Sequence, residues 1–389
     1  MGDSVRSDCF VEVEIRTRGG ITLDLESKVG SLYGESITRL LKDVCAALGL
    51  RDGAFHIVDQ GALPFVIAAR VESAIKRALP ETAPVCLPEA LPLKRQSADR
   101  LRRTRLYLPG NEPKFFTNAG LHRPDGIVLD LEDSVAPLEK DAARILVRNA
   151  LRAVDFHGAE RGVRINRGPL GLDDLRSIVP QQPDAILIPK CEDAETVMTI
   201  EEEIRSAGKK TRSGAGIVLI PIIESPLGVV NAYAIASASR RVAAVAIGLE
   251  DYTAEIGVER TAGGAESLFA RMSIVNVAKA AGVQALDSVY SDVEDLDGLR
   301  AGTLESKSLG FDGRGCIHPR QIRIIHDALA PTVEQIQKAR LIIEAAESAR
   351  KNGSGVVALG SKMIDAPVVT RAERILRLSD QLGKEGSDR

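Results

Sequence analysis

No uncharged apolar run approaches the roughly 18 residues that a membrane-spanning helix needs. The first residues, Met1-Gly2-Asp3-Ser4-Val5-Arg6-Ser7-Asp8, carry acids where a secretory signal would have an apolar core. The expectation is a cytoplasmic protein with no membrane partner. An excess of basic charge is missing too: 51 Lys and Arg stand against 54 Asp and Glu, for a formal net charge of -3. That balance argues against a general nucleic-acid binder. Cys9, Cys45, Cys86, Cys191 and Cys316 are odd in number, widely separated and without a CxxC pair. Neither a disulfide framework nor a zinc site is expected, and each thiol reads as a small apolar filler. No P-loop or GxGxxG follows a strand-like run, so no organic redox cofactor is called for.

What is present is an ordinary globular composition, 44% hydrophobic and 27% charged over 389 residues, enough for two or more domains with a sizeable core. Phe10 to Arg16 and Ile21 to Leu25 alternate with period two on either side of Arg18-Gly19-Gly20, which predicts a β-hairpin. Ser36 to Leu48 has helical spacing with Ser36 as a candidate N-cap. A strand over Phe55 to Asp59 and a helix over Leu63 to Leu79 complete a small ββαβα unit, residues 1–80. Residues 81–100 are a proline-rich connector suited to a semi-rigid tether.

From residue 101 to 330 short apolar runs alternate eight times with amphipathic ones. The fold class expected is α/β, a (β/α)8 barrel whose site lies at the C-terminal rim of its strands, with a doubly wound open sheet as the competing architecture. The predicted strand ends carry Gly110-Asn111, Glu132-Asp133, Arg164 and Asn166, Lys190, Glu224, Glu250-Asp251, Asp287 and His318. Any one of these could be a strand end meeting solvent. A ring of mixed charge on one face is more than turn chemistry requires.

The apolar run from Ile217 to Ile223 delivers Glu224, and that from Val242 to Leu249 delivers Glu250-Asp251-Tyr252. On neighbouring strands, about 4.8 Å apart, Glu224 and Asp251 could converge on a hard divalent cation, Mg2+ or Mn2+. The alternative is that each pairs with a barrel arginine or lysine. Glu250 is expected to point the other way. Arg164 lies in an apolar strand, where a charge is costly unless paired; it either neutralises Glu224 or Asp133 or holds an oxyanion. Arg103 could act similarly, although four arginines within Arg100 to Arg105 could equally be a solvated face. Lys190 follows the same logic. His318 reads as a structural contact.

Six segments then carry a resemblance: Leu106-Tyr107-Leu108-Pro109-Gly110-Asn111, Leu129-Asp130-Leu131-Glu132-Asp133-Ser134-Val135, Val163-Arg164-Ile165-Asn166, Ile223-Glu224-Ser225, Gly248-Leu249-Glu250-Asp251-Tyr252 and Lys362-Met363-Ile364-Asp365-Ala366-Pro367. In this order, over Leu101 to Leu382, they resemble the citrate lyase beta-subunit family of the HpcH/HpaI aldolase superfamily. Asp59-Gln60-Gly61-Ala62-Leu63 and Ile67-Ala68-Ala69-Arg70-Val71-Glu72 resemble the acyl carrier (gamma) subunit of citrate lyase. The resemblance implies a TIM barrel with Mg2+ on Glu224 and Asp251, substrate contacts from Arg164 and Arg103, and Asp133 orienting an arginine or a metal-bound water; Lys190 and Glu224 are further candidate substrate contacts. It also implies that Asp365, in a C-terminal lid segment over 331–389, reaches the site of a neighbouring subunit in a trimer or hexamer, with a transferase (alpha) subunit as a further partner.

In the carrier family a phosphoribosyl-dephospho-CoA group is attached to a serine just upstream of an aspartate. Asp8 stands in for that aspartate, but in ungapped register Arg6 falls where the serine should be, so attachment would need a shift to Ser7 or Ser4. Otherwise the domain is an unmodified docking or oligomerisation module.

The expected activity is Mg2+-dependent retro-Claisen cleavage of a β-hydroxyacyl thioester, with citryl thioester giving oxaloacetate and acetyl thioester. Malyl-CoA or citramalyl-CoA cleavage or thioester hydrolysis on free CoA esters is the alternative. A non-catalytic carrier or scaffold subunit is the reading of a different class.

Overall fold

The structure is a computed structural model that describes residues 6–92, 100–209, 214–261, 263–351, 357–359 and 362–387. Ser4 and residues 93–99 of the connector lie outside the described residues. The chain divides into two compact units, Met1–Ile325 and His326–Arg389.

In the first unit, β1 (Cys9–Ile15), β2 (Ile21–Ser27) and β3 (Gly53–Asp59) form a three-stranded sheet in the order β1-β3-β2. The predicted hairpin therefore does not form. β3 pairs antiparallel with β1 and parallel with β2, separating the two strands that a glycine turn joins. The physical reason is burial: Phe55 and Ile57 of β3 are closed off from water, whereas β1 and β2 leave every second residue exposed. The Asp52 carboxylate accepts from the Gly20 N–H at 2.8 Å and ties the turn to the start of β3.

The helices Gly30–Leu48 and Pro64–Ala78 complete this sheet-and-helix unit. The first begins earlier than expected. Ser36 is an interior residue whose hydroxyl donates to the Tyr33 carbonyl, so it is not the N-cap.

The barrel strands are β4 (Thr104–Pro109), β5 (Gly126–Asp130), β6 (Glu160–Arg164), β7 (Ala185–Ile188), β8 (Val218–Ile223), β9 (Ala244–Ile247), β10 (Gln284–Asp287) and β11 (Gly313–Cys316). All pairings are parallel, and β11 closes the circle on β4. This is a (β/α)8 barrel and excludes the open doubly wound sheet. Alternate residues fill the interior: Val218, Ile220 and Ile222 of β8 meet Val128, Leu187, Ala246 and Leu286. This plug of apolar side chains is a floor beneath the C-terminal rim.

The helix Pro64–Ala78 packs on the barrel helix Lys140–Ala153 through an ion pair sealed from water. Arg148 donates to Glu72 at 2.9 and 2.7 Å. The connector is pinned against the same helix, with Arg148 donating to the Cys86 carbonyl and Arg152 to that of Pro88.

The second unit contains the helix Val333–Lys351, the antiparallel strands β12 (Val357–Leu359) and β13 (Lys362–Ile364), and the helix Ala366–Ser387. Ala339, Ile342, Ile364, Val369 and Ala372 form its core.

Candidate active site

Glu224 follows β8 directly. The Ser225 hydroxyl accepts from the Gly228 N–H at 3.0 Å and caps the helix Pro226–Ser237, with Pro226 at its first turn. This rigid exit leaves the Glu224 side chain inside, 4% exposed, and its Oε2 meets no hydrogen-bond partner among the described residues. Burial, with the Asp251 and Glu132 carboxylates adding to it, pushes its pKa up to about 8 against the pull of Arg164 and Lys190. Gly248 allows the close approach: a Cβ there would lie 2.5 Å from Glu224 Cγ and 2.9 Å from Oε1.

Asp251 is not on a strand, contrary to the spacing argument. β9 ends at Ile247, and Asp251 lies in the first turn of the helix Leu249–Ile256, where free N–H groups favour a carboxylate. Its Oδ1 is 3.4 Å from Lys190 Nζ. Glu250 pairs with Arg260. It is a flanking group, as expected, but because of the helix and not because of strand alternation.

Arg164 ends β6. Its Nε and Nη2 donate to Asp130 Oδ1 and Oδ2 at 2.7 and 2.8 Å, and its guanidinium lies 5.6 Å from the Tyr107 ring centre. Nη1 is 3.2 Å from Glu132 Oε2 and 3.7 Å from Asp133 Oδ2. Burial opposes its charge, but Asp130 more than compensates and holds its pKa above the ordinary arginine value. Burial likewise works against the Asp130 carboxylate. Arg164, Ser134 and the Glu132 N–H outweigh it and keep that pKa low.

Lys190, just past β7, sits at φ 47°, in the left-handed region that a side chain rarely adopts. Three carboxylates hold its Nζ: Glu132 at 3.1 Å, Asp133 at 3.2 Å and Asp251 at 3.4 Å. Burial opposes its charge, and Glu132 and Asp133 restore it and push its pKa above the ordinary lysine value.

A cavity of about 350 Å³ is lined by Asp130, Asp133, Arg164, Glu224 and Asp251, and by Arg105 from β4. Arg103 is elsewhere. It precedes β4, at the N-terminal end of the barrel, where its Nε and Nη2 donate to Asp125 at 2.8 and 2.7 Å. The expectation that Arg103 touches substrate is therefore corrected. The cavity cation on this strand is Arg105, which shares the inward face with Tyr107. Asp130 and Arg105 were the site residues missed, and each carried the same signal: a charge inside an otherwise apolar strand.

His318 Nδ1 accepts from the Arg320 N–H at 3.1 Å, a structural contact as expected. Ser7 lies beside Asp8, which Arg70 clamps at 2.9 and 2.8 Å. Arg70 also donates to the Asn111 carbonyl at 2.9 Å, so this end of the small domain stands at the loop that follows β4. Asp365, in the second unit, is half-buried and accepts from the Val368 N–H at 3.3 Å at the start of the helix Ala366–Ser387.

The donor set around Glu224 and Asp251 is oxygen only, with one buried carboxylate oxygen unsatisfied, which fits a hard cation. Among the described residues no three Asp, Glu, His or Cys side chains form a preformed metal cage. An ion here would complete its shell with water and substrate, the usual arrangement for magnesium.

Residues 103–319 match the HpcH/HpaI aldolase/citrate lyase family. Residues 1–78 match the acyl-carrier family described as malonate decarboxylase delta subunit (MdcD). The chain is 42% identical over 280 residues to citrate lyase subunit beta of Haemophilus influenzae, covering 71% of this chain and 96% of that one. Against the mitochondrial citramalyl-CoA lyase of Rattus norvegicus it is 32% identical over 293 residues, 72% of this chain and 87% of the relative. A similar solved structure is protein CitE from Mycobacterium tuberculosis in complex with magnesium, acetoacetate and coenzyme A, with TM-score 0.61, 31% identity, and 72% and 98% of the two chains covered. The family match begins just before β4 and ends just past β11, so it takes in the whole barrel and its rim: the chain belongs to the HpcH/HpaI aldolase/citrate lyase family and is a carbon-carbon lyase.

Proposed function

We propose that the chain cleaves a β-hydroxyacyl thioester by a Mg2+-dependent retro-Claisen step, with citryl thioester giving oxaloacetate and acetyl thioester. The observation that carries this reading is the buried, unpartnered Glu224 Oε2 in the cavity that Asp251 and Arg164 also line. Glu224 and Asp251 would hold the ion, which supplies positive charge to the acid half of the substrate. Lys190 fixes Asp251 and, with Asp133, borders the same rim.

The step removes the proton of the β-hydroxyl and breaks the adjacent carbon-carbon bond. The electron pair passes into the thioester as an enolate, and a proton returns to its carbon. Arg164, kept charged and oriented by Asp130 and Asp133, receives the enolate oxygen. Asp365 of a neighbouring subunit in a homo-oligomer carries the proton. The Asp8–Arg70–Asn111 bridge supports presentation of a thioester from the small domain, with Ser7 as the attachment point for a phosphoribosyl-dephospho-CoA group and a transferase subunit as partner.

Likeness to the citramalyl-CoA lyase and to a coenzyme A complex favours a second reading, cleavage of free malyl-CoA or citramalyl-CoA. Assay of the purified protein with Mg2+ on citryl-CoA, malyl-CoA and citramalyl-CoA separates the two. Cleavage of citryl-CoA to oxaloacetate and acetyl-CoA is expected, and rapid turnover of another ester with none of citryl-CoA would replace the first reading by the second. The scaffold reading has no support in a chain with this family match and an intact rim.

A further inference from the structure

Among the described residues two cations line the cavity, Arg164 and Arg105, and they differ in one respect. Arg164 has Asp130. Arg105 is 2% exposed, and its Nε and Nη1 meet no hydrogen-bond partner among the described residues. Its only hydrogen bond among the described residues is a long donation from Nη2 to the Asp287 main-chain carbonyl at 3.5 Å. The Asp287 carboxylate is already taken by Arg271 and Ser306. A guanidinium sealed from water without an anion is costly, and the barrel has left room for one beside it. In register with Arg105 are Gly126 on β5 and Gly315 on β11, so neither neighbouring strand adds a side chain at its level.

The cavity thus has two unlike ends. Glu224 and Asp251 suit a cation that engages an oxo-acid head, and Arg105, on the barrel floor, suits a small anion. We propose that Arg105 is a specificity-determining residue that binds a second carboxylate on the acid half of the substrate. The inference rests on the lyase reading above and sharpens it. The preferred substrates are thioesters whose cleavage releases a dicarboxylic 2-oxo acid, and esters with a methyl group or hydrogen in place of that carboxylate are poor ones. A carboxylate is favoured over a phosphate because the site is buried among barrel side chains, and arginine N–H groups match the planar oxygens of a carboxylate.

The test is isothermal titration of the full chain with freshly dissolved oxaloacetate and with pyruvate, both in the presence of Mg2+. The two share the 2-oxo-acid head and differ by one carboxylate. Oxaloacetate should bind wild type about ten- to hundredfold more tightly than pyruvate, the range of a charged hydrogen-bonded contact. In Arg105→Met the ratio should collapse towards one through loss of oxaloacetate affinity, and Arg105→Lys should recover part of it. Equal affinities in wild type, or a preference that survives in Arg105→Met, overturn this assignment and leave the lyase reading in place. Failure of folded wild type to bind either acid overturns both. If Arg105→Met does not fold, the wild-type ratio and Arg105→Lys still decide.

Discussion

With its pKa pushed up to about 8, Glu224 is a carboxylic acid at neutral pH until a cation displaces its proton. Because the folded value lies above the ordinary 4.5, the native state binds more protons than the unfolded chain between those two values. The stabilisation is present at low pH and is lost as pH rises through about 8. In EDTA, wild type should therefore lose melting temperature relative to Glu224→Gln between about pH 5 and pH 8 and level off above that, and a gap that does not change with pH would contradict the assignment. Glu224 itself was legible because an apolar run ends on it. Arg105 was not: Arg103 and Arg105 are separated by one residue in a cluster of arginines, and only the position of Tyr107 on the inward face and the strand limits decide which one reaches the cavity. Asp130 was hidden by its neighbours Glu132 and Asp133, which look equally suited to hold Arg164.

At the level of elements, eight strand-helix units were readable from alternating apolar and amphipathic runs, and the barrel follows from them. Pairing was less readable. β1 and β2 each have a clean alternation, and nothing local reveals that β3, a more buried strand, inserts between them. The β9 exit shows the same limit. The apolar run continues to Leu249, but the strand stops at Ile247, and Asp251 reaches the site from a helix. Gly248 makes that exit possible. Gly248→Ala should displace Glu224 and weaken Mg2+ binding by about 10–100-fold, the range for residues that position a ligand, while the far-ultraviolet circular dichroism stays that of wild type. Unchanged Mg2+ affinity would show that the close contact has no functional consequence.

For the molecule as a whole, the small domain and the barrel are joined by Glu72 and Arg148, residues far apart in sequence and both closed off from water. Their pairing is not legible in the sequence, because the partner of a charge on one helix face cannot be read when it lies on another domain. Arg148→Met would leave Glu72 buried with Lys76 as its remaining cation, at 2.9 Å, and the Cys86 N–H at 3.1 Å. A loss on the order of 3 kcal/mol in denaturant unfolding is expected, most of it recovered in Arg148→Met/Glu72→Met. A loss below about 0.5 kcal/mol would mean that the pair does not hold the two parts together.

Glu224 and Asp251 are proposed to make the cavity a magnesium site for the lyase reaction. Isothermal titration of Mg2+ into the metal-free full chain, with Glu224→Ala alongside, tests it most directly. A single site in wild type, weakened about 100-fold or more in a folded Glu224→Ala protein, is the predicted result. Equal affinity in the two proteins would mean that Glu224 does not hold the ion.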